Sequence, residues 1–331
     1  MNRTAPYARD ARVHIETGVD APAALQQAIA ASRFEEHVER ALAASGRARG
    51  TFAIAVKANL MCATCAADSS GDQTDPALVE QLVGALRASG FETIAVVESP
   101  VAGLPPVAAV AASAGYSAGG YRIVDLAEEA VPFAYGGVLG DDLVGRTWLE
   151  ADYRISFGKC KTHWQCFYSG CLANLYGCLP RADKLAHYHG TGHEFYECCV
   201  LVADRLPVDF AFLDAWVGGD GGRSHAHRRS PQATRTILAS ENAFALDWVA
   251  GEKMGLDPQL SFVLQEALLR WGRIHITRRG NITTWRPWRN VRPATVVAVA
   301  LLEPVLRRRA VRAALRLAGA RGRRLAAWTV Q

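Results

Sequence analysis

Near its start the sequence alternates strand, helix and strand signals, and that alternation restricts the fold more than any other feature. Thr51 to Val56 is an apolar run of strand length. Asp75-Pro76 then supplies a helix cap and a fixed φ, Val79, Leu82, Val83 and Leu86 fall on one face, and Gly90 is a C-terminal stop. Glu92 to Val97 returns as a β-rich run. A chain that leaves a strand, forms a helix and re-enters the same sheet in parallel does so right-handedly, so the pattern predicts a βαβ unit. Upstream, Asp20 caps a helix beginning at Ala21-Pro22, with Leu25, Ile29, Phe34, Val38 and Leu42 as its stripe and Ser45-Gly46 as its end.

The alternation continues with a Pro106–Ala114 helix, a Tyr121–Leu126 strand and a Tyr153–Phe157 strand running into the polar segment Gly158 to His163. A Glu194–Arg205 helix follows, then strands at Val208–Leu213 and Thr234–Leu238 and helices over 241–254 and 258–271. No internal repeat or long linker interrupts them. The expected fold is α/β, a largely parallel sheet flanked by helices, with a basic helical C-terminal tail. The expected division is an N-terminal helical extension over 1–50, an α/β body over 51–290 and an Arg-rich tail over 291–331.

Charge reinforces that division. The tail has nine Arg against Glu303 alone, a local charge of +8, whereas the other 290 residues carry 28 basic and 31 acidic groups. The body is therefore mildly acidic, which argues against a general nucleic-acid surface. Composition is ordinary for a folded protein, at 50% hydrophobic and 21% charged. The first 30 residues mix Arg3, Arg9 and Arg12 with Asp10, Glu16 and Asp20 and contain no signal-like apolar segment. The run Ala294 to Leu302 is stopped by Glu303 and Pro304, short of a membrane span. A cytoplasmic address is expected, in which the eight cysteines are thiols or metal ligands rather than disulfides.

In parallel α/β sheets ligands gather beyond the carboxyl ends of strands. Two segments hold that position: Val56 to Leu60 after the first strand, and Gly158 to His163 after the Tyr153 strand. The chain has five lysines against thirty-two arginines, yet three of the five, Lys57, Lys159 and Lys161, lie in these two segments. Lysine offers a point charge to a carboxylate or phosphate, and His163 can exchange protons near neutrality. Asp214, ending the Val208 to Leu213 run, can reach a central pocket. Asp247, inside a helix, needs a basic partner or a backbone turn to cap.

Taken in order, Lys57-Ala58-Asn59-Leu60, Lys161-Thr162-His163, Asn174-Leu175-Tyr176-Gly177, Lys184 with His187, Phe212-Leu213-Asp214-Ala215 and Ile237 to Asp247 resemble the domain-of-unknown-function family 362 over about residues 50 to 260. The family usually has a lysine where this chain has Ala173, and a Gly-Pro-rich stretch where this chain reads Gly218-Gly219-Asp220-Gly221-Gly222. Many relatives carry a ferredoxin-like cysteine segment that is missing here. The resemblance implies a fold and a site position; the family has no settled activity.

The leading expectation is an enzyme, with a place in a biosynthetic pathway as one setting, acting on a small anionic or carbonyl-bearing substrate by acid–base or electrostatic catalysis. Lys57 and Lys161 bind or polarise an anionic oxygen, His163 moves a proton and Asp214 positions His163 or a lysine. Asn59, Asn174, Ser240 and Asp247 form the ligand-binding set. The alternative is a redox protein holding a divalent metal or iron–sulfur cluster on Cys62, Cys65, Cys160, Cys166, Cys171 and Cys178, although the separations from Cys160 onward, of 6, 5 and 7 residues, depart from the usual two-residue gaps. His187, His189, His193, His225 and His227 read as loop residues. The arginines of 291–331 either snorkel from a helix docked on the body or contact an anionic membrane surface peripherally. A small-molecule partner is expected, and no specific nucleic acid.

Overall fold

The computed structural model describes residues 10–60, 71–100, 105–163, 166–181, 183–188, 194–221, 230–285 and 288–290, with Tyr7 and Ala294. Its strands are β1 (Asp10–Thr17), β2 (Ile54–Ala58), β3 (Ile94–Glu98), β4 (Arg122–Asp125), β5 (Ala130–Gly136), β6 (Gly140–Gly145), β7 (Tyr153–His163), β8 (Phe167–Ser169), β9 (Phe210–Asp220), β10 (Ser230–Gln232), β11 (Thr236–Ser240) and β12 (His275–Gly280). The main sheet runs β12-β1-β11-β9-β7-β2-β3-β4, with β8 added to β7 and β10 to β9, while β5 and β6 form a separate hairpin. The centre, β9-β7-β2-β3-β4, is parallel; β11 is antiparallel to both of its neighbours.

Two helical layers cover the sheet. On one side lie α1 (Ala21–Ala31), α2 (Phe34–Ser45), α3 (Pro76–Ala88) and α4 (Val107–Ala114), whose apolar faces join Ile54, Val56, Ile155, Phe210 and Phe212 in one core. Phe34 meets Phe210 and Phe212 edge-on at 4.9 and 5.1 Å, a favoured geometry for aromatic quadrupoles. On the other side lie α5 (Arg146–Glu150), α6 (Cys171–Asn174), α7 (Lys184–Tyr188), α8 (Glu194–Arg205), α9 (Ala243–Lys253) and α10 (Phe262–Trp271). The second core fills the space between them and Ala55, Val97, Leu213 and Leu238.

The βαβ expectation holds: Asp75 caps α3 through the Ala77 N–H, and β2 and β3 are parallel neighbours. Three differences bear on the site. The single helix expected over 21–45 is two, because Arg33 turns left-handed at φ 57° and the Ser32 hydroxyl donates back to Ala28 O at 2.6 Å. Residues 10–50 are not an appended helical extension, since β1 lies within the main sheet between β12 and β11. The segment Gly158 to His163 is no loop: β7 continues through it, buried up to Thr162, with an irregularity in its pairing to β9 between Lys159 and Lys161. Among the described residues no helix is long and apolar enough to cross a membrane. The tail expected over 291–331 lies outside the described residues except for Ala294.

Candidate functional site

All five lysines of this chain are buried, none more than 5% exposed. An ammonium loses much hydration on burial, so each needs compensating oxygens. Lys253, at the end of α9, donates to Asn281 O and Thr283 O at 2.7 and 2.5 Å and lies over the Trp285 ring. The other four gather toward the carboxyl ends of β2, β3, β7 and β9.

Lys57, next to last in β2, donates to Glu98 Oε2 at 2.8 Å, Asn174 Oδ1 at 3.1 Å and Ala58 O at 2.6 Å. Glu98 ends the adjacent β3 and also accepts from the Leu60 and Ser99 N–H groups. Asn174 is fully engaged, for its amide NH2 donates to Lys57 O and Ser156 Oγ. The backbone of Gly177 closes over this pair so tightly that a Cβ there would lie 2.0 Å from Glu98 Oε1 and 2.3 Å from Lys57 Cε. Glycine is required by space, not by backbone conformation.

On β7, Lys159 pairs with Asp214 Oδ2 at 2.7 Å, and Asp214 also accepts from the Asp75 and Trp216 N–H groups. Lys161 donates to Asn59 Oδ1 at 3.0 Å and to Asp72 O at 2.7 Å. The neighbouring Thr74 hydroxyl accepts from Asn59 N and donates to Phe157 O, stitching the segment that leads into α3 onto β2 and β7. Lys57 and Lys161 thus meet through residues 58–60: Asn59 holds Lys161, and the next N–H, of Leu60, reaches the carboxylate that holds Lys57.

Lys184, on α7, completes the group. It donates to Ser99 Oγ, whose hydroxyl bonds Gly177 O and Leu179 O at 2.6 and 2.9 Å, and its amine lies over the Tyr176 ring. Burial pulls its pKa down to about 8, with Lys57 lowering it further and Glu98 opposing. Glu98, Ser99 and Lys159 escaped the sequence reading as functional residues, and Lys184 entered only through the resemblance. The scarcity of lysine, applied to every lysine, and the strand-end rule, applied to the β3 run, point to them.

His163, the last residue of β7, is half-buried and stacks flat on Phe195, with ring centres 5.9 Å apart. Two expected ligand residues do not join the lysines. Ser240 pairs with Ala211 at the opposite edge of the sheet, and its hydroxyl donates to Arg12 O at 2.7 Å. Asp247 caps α6, accepting from Cys171 N at 2.6 Å and Leu172 N at 2.8 Å. Burial raises Asp247 to about pH 7 against the lowering effect of those two bonds. Asp214 pairs with Lys159 instead of His163, because the two face each other directly across β7 and β9.

Among the described residues no three His, Cys, Asp or Glu side chains converge as metal ligands. Cys160, Cys166, Cys171 and Cys178 are buried free thiols. Cys171 donates to Phe212 O at 3.1 Å and Cys166 to Tyr168 O at 3.2 Å, while burial pushes the Cys178 thiol up to about 12 and raises Cys160 and Cys171 as well. The cysteines of the 160–178 window form no group of three or more convergent ligands among the described residues. Cys62, Cys65, His189, His193, His225 and His227 lie outside the described residues.

Fold and site together define an α/β protein with buried lysines gathered at the carboxyl edge of its parallel strands. The profile of the domain-of-unknown-function family DUF362 matches residues 54–252, and the chain belongs to that family. It is 31% identical over 114 residues to the thylakoid-associated protein sll1697 of Synechocystis sp., a match covering 33% of this chain and 35% of the relative. The chain thus spans about a third of the length of that curated relative. Among solved structures, the lactate racemase apoprotein from Thermoanaerobacterium thermosaccharolyticum is similar with a TM-score of 0.44 and 12% identity, over 71% of this chain and 54% of that one.

Proposed function

We propose that this protein is an enzyme acting on a small anionic or carbonyl-bearing molecule at the carboxyl edge of β2, β3 and β7. One observation carries the reading: four buried lysines converge there, two of them in ion pairs with Glu98 and Asp214. A strand-end cluster of this kind is fixed before a ligand arrives, so a developing negative charge meets oriented donors without reorganisation. Lys161 and Asn59 bind the anionic oxygen. His163, two residues beyond Lys161 on the same strand, moves the proton, and Lys184 is the second group able to do so, because its amine releases a proton near pH 8. Lys57, Asn174, Lys159 and Asp214 hold this frame.

The test is a thermal-shift panel of small carboxylates, phosphate esters and 2-oxo acids at constant ionic strength, followed by turnover assays on each compound that stabilises the protein. A ligand of this site raises the Tm of the wild type but not of Lys161→Ala, and His163→Ala lowers turnover about 100-fold or more. A rate that climbs as pH rises through about 8 identifies Lys184 as the base. Silence across the panel, or folded Lys161→Ala and His163→Ala proteins that bind and turn over as the wild type does, overturns the reading.

A further inference from the structure

The sheet edge opposite the lysines carries a second polar cavity of about 280 Å³. It opens where β11 ends beside the start of β9, between β1 and the corner joining α1 to α2. Arg12 and His14 reach it from alternate positions of β1, Arg33 from the corner, and His37 and Arg40 from adjacent turns of α2; Glu241 is the one acidic residue in its wall. Arg33 is already committed to Glu36. Among the described residues, neither Arg12 nor Arg40 has a carboxylate within ion-pair distance.

The histidine geometry places two opposite demands on one nitrogen. An Arg40 N–H lies 2.9 Å from His37 Nδ1 and requires that nitrogen to be bare. Glu241 Oε2 lies 3.3 Å from the same nitrogen and is satisfied only if it carries a proton. One atom cannot meet both demands. His14 and His37 both lie below the usual histidine range, first because they are partly buried; Arg12 and Arg279 add to this at His14, as do Arg40 and Arg33 at His37, with Glu241 opposing at both and Glu36 at His37. A multiply charged anion between Arg12 and Arg40 would take up the Arg40 donor and leave His37 free to protonate and pair with Glu241.

We propose that this cavity binds a dianionic phosphoryl group, either inorganic phosphate or the phosphate of a small ester. Guanidinium groups present paired N–H donors that match phosphate oxygens, and the volume is ample for phosphate and a few carbons beyond it. The site is separate from the lysine cluster and does not depend on the role given to it.

Calorimetric titration of the full chain at constant ionic strength, with inorganic phosphate and with glycerol 3-phosphate, tests this. Both bind, and Arg12→Gln with Arg40→Gln weakens binding about tenfold or more, whereas Arg122→Gln, exposed on β4 and outside the cavity wall, leaves it unchanged. Tighter binding of the ester marks a phosphate ester as the ligand; equal binding marks the phosphoryl group alone. In parallel, phosphate raises the NMR titration midpoints of His14 and His37. No heat beyond that given by chloride, unmoved histidine midpoints, unchanged affinity in the double arginine variant, or an equal loss of binding in Arg122→Gln would each overturn the assignment.

Discussion

At the scale of single residues, the scarcity of lysine is the informative signal. Arginine supplies most of the positive charge of this chain, so each lysine stands where a compact point charge with three donors is wanted. The Lys57–Glu98 pair shows the consequence, for both side chains are buried and neither charge can turn to water. Lys57→Met leaves Glu98 without its ammonium and is expected to lower stability by about 3–5 kcal/mol in urea unfolding, with Lys57→Met/Glu98→Gln recovering part of that loss. Gly177→Ala drives a methyl group into the same pair and is expected to cost about 2 kcal/mol or more, measured the same way. Lys57, Lys161 and Asn59 were legible in the sequence as members of one cluster. Glu98 was not, because the β3 run was read to end one residue before it.

At the scale of elements, the short helix α6 depends on a group distant in the chain. Asp247 caps its first two N–H groups, and Asn174, its last residue, holds Lys57, so a carboxylate in α9 positions a lysine in β2 without touching it. Sequence proposed either a basic partner or a capped turn for Asp247, and the second is what forms, since a buried carboxylate can be satisfied by backbone donors alone. The pH consequence follows from its midpoint near 7, above the value near 3.8 of an unfolded chain. Between about pH 4 and 7 the native state binds the extra proton, so this group's contribution to stability falls as pH rises, by at most about 4 kcal/mol. Asp247→Asn should flatten that slope in urea midpoints recorded from pH 4 to 7, while lowering stability by about 1–3 kcal/mol because one N–H loses its acceptor.

At the scale of the whole molecule, β1 makes the amino-terminal region part of the body. It separates β12 from β11, and its burial alternates strictly at Ala11, Val13 and Ile15. That alternation is visible in the sequence, but the helix signals from Asp20 onward dominate residues 1–50, and the expected helical extension leaves no place for the strand. Deleting residues 1–18 removes the strand that joins β12 to the sheet and exposes the edge of β11; the expected outcome is a lower Tm and a less cooperative unfolding transition by circular dichroism. Local signals determined the βαβ unit, the caps at Asp20 and Asp75, the α/β class and the strand ends where polar residues collect, because these rest on interactions a few residues apart. Tertiary structure decided which lysine meets which carboxylate, the placing of Ser240 at the far edge and the burial of Cys160, Cys166, Cys171 and Cys178 as free thiols. Those outcomes depend on strand order and register, which bring together residues scores of positions apart and leave no periodic trace in the chain.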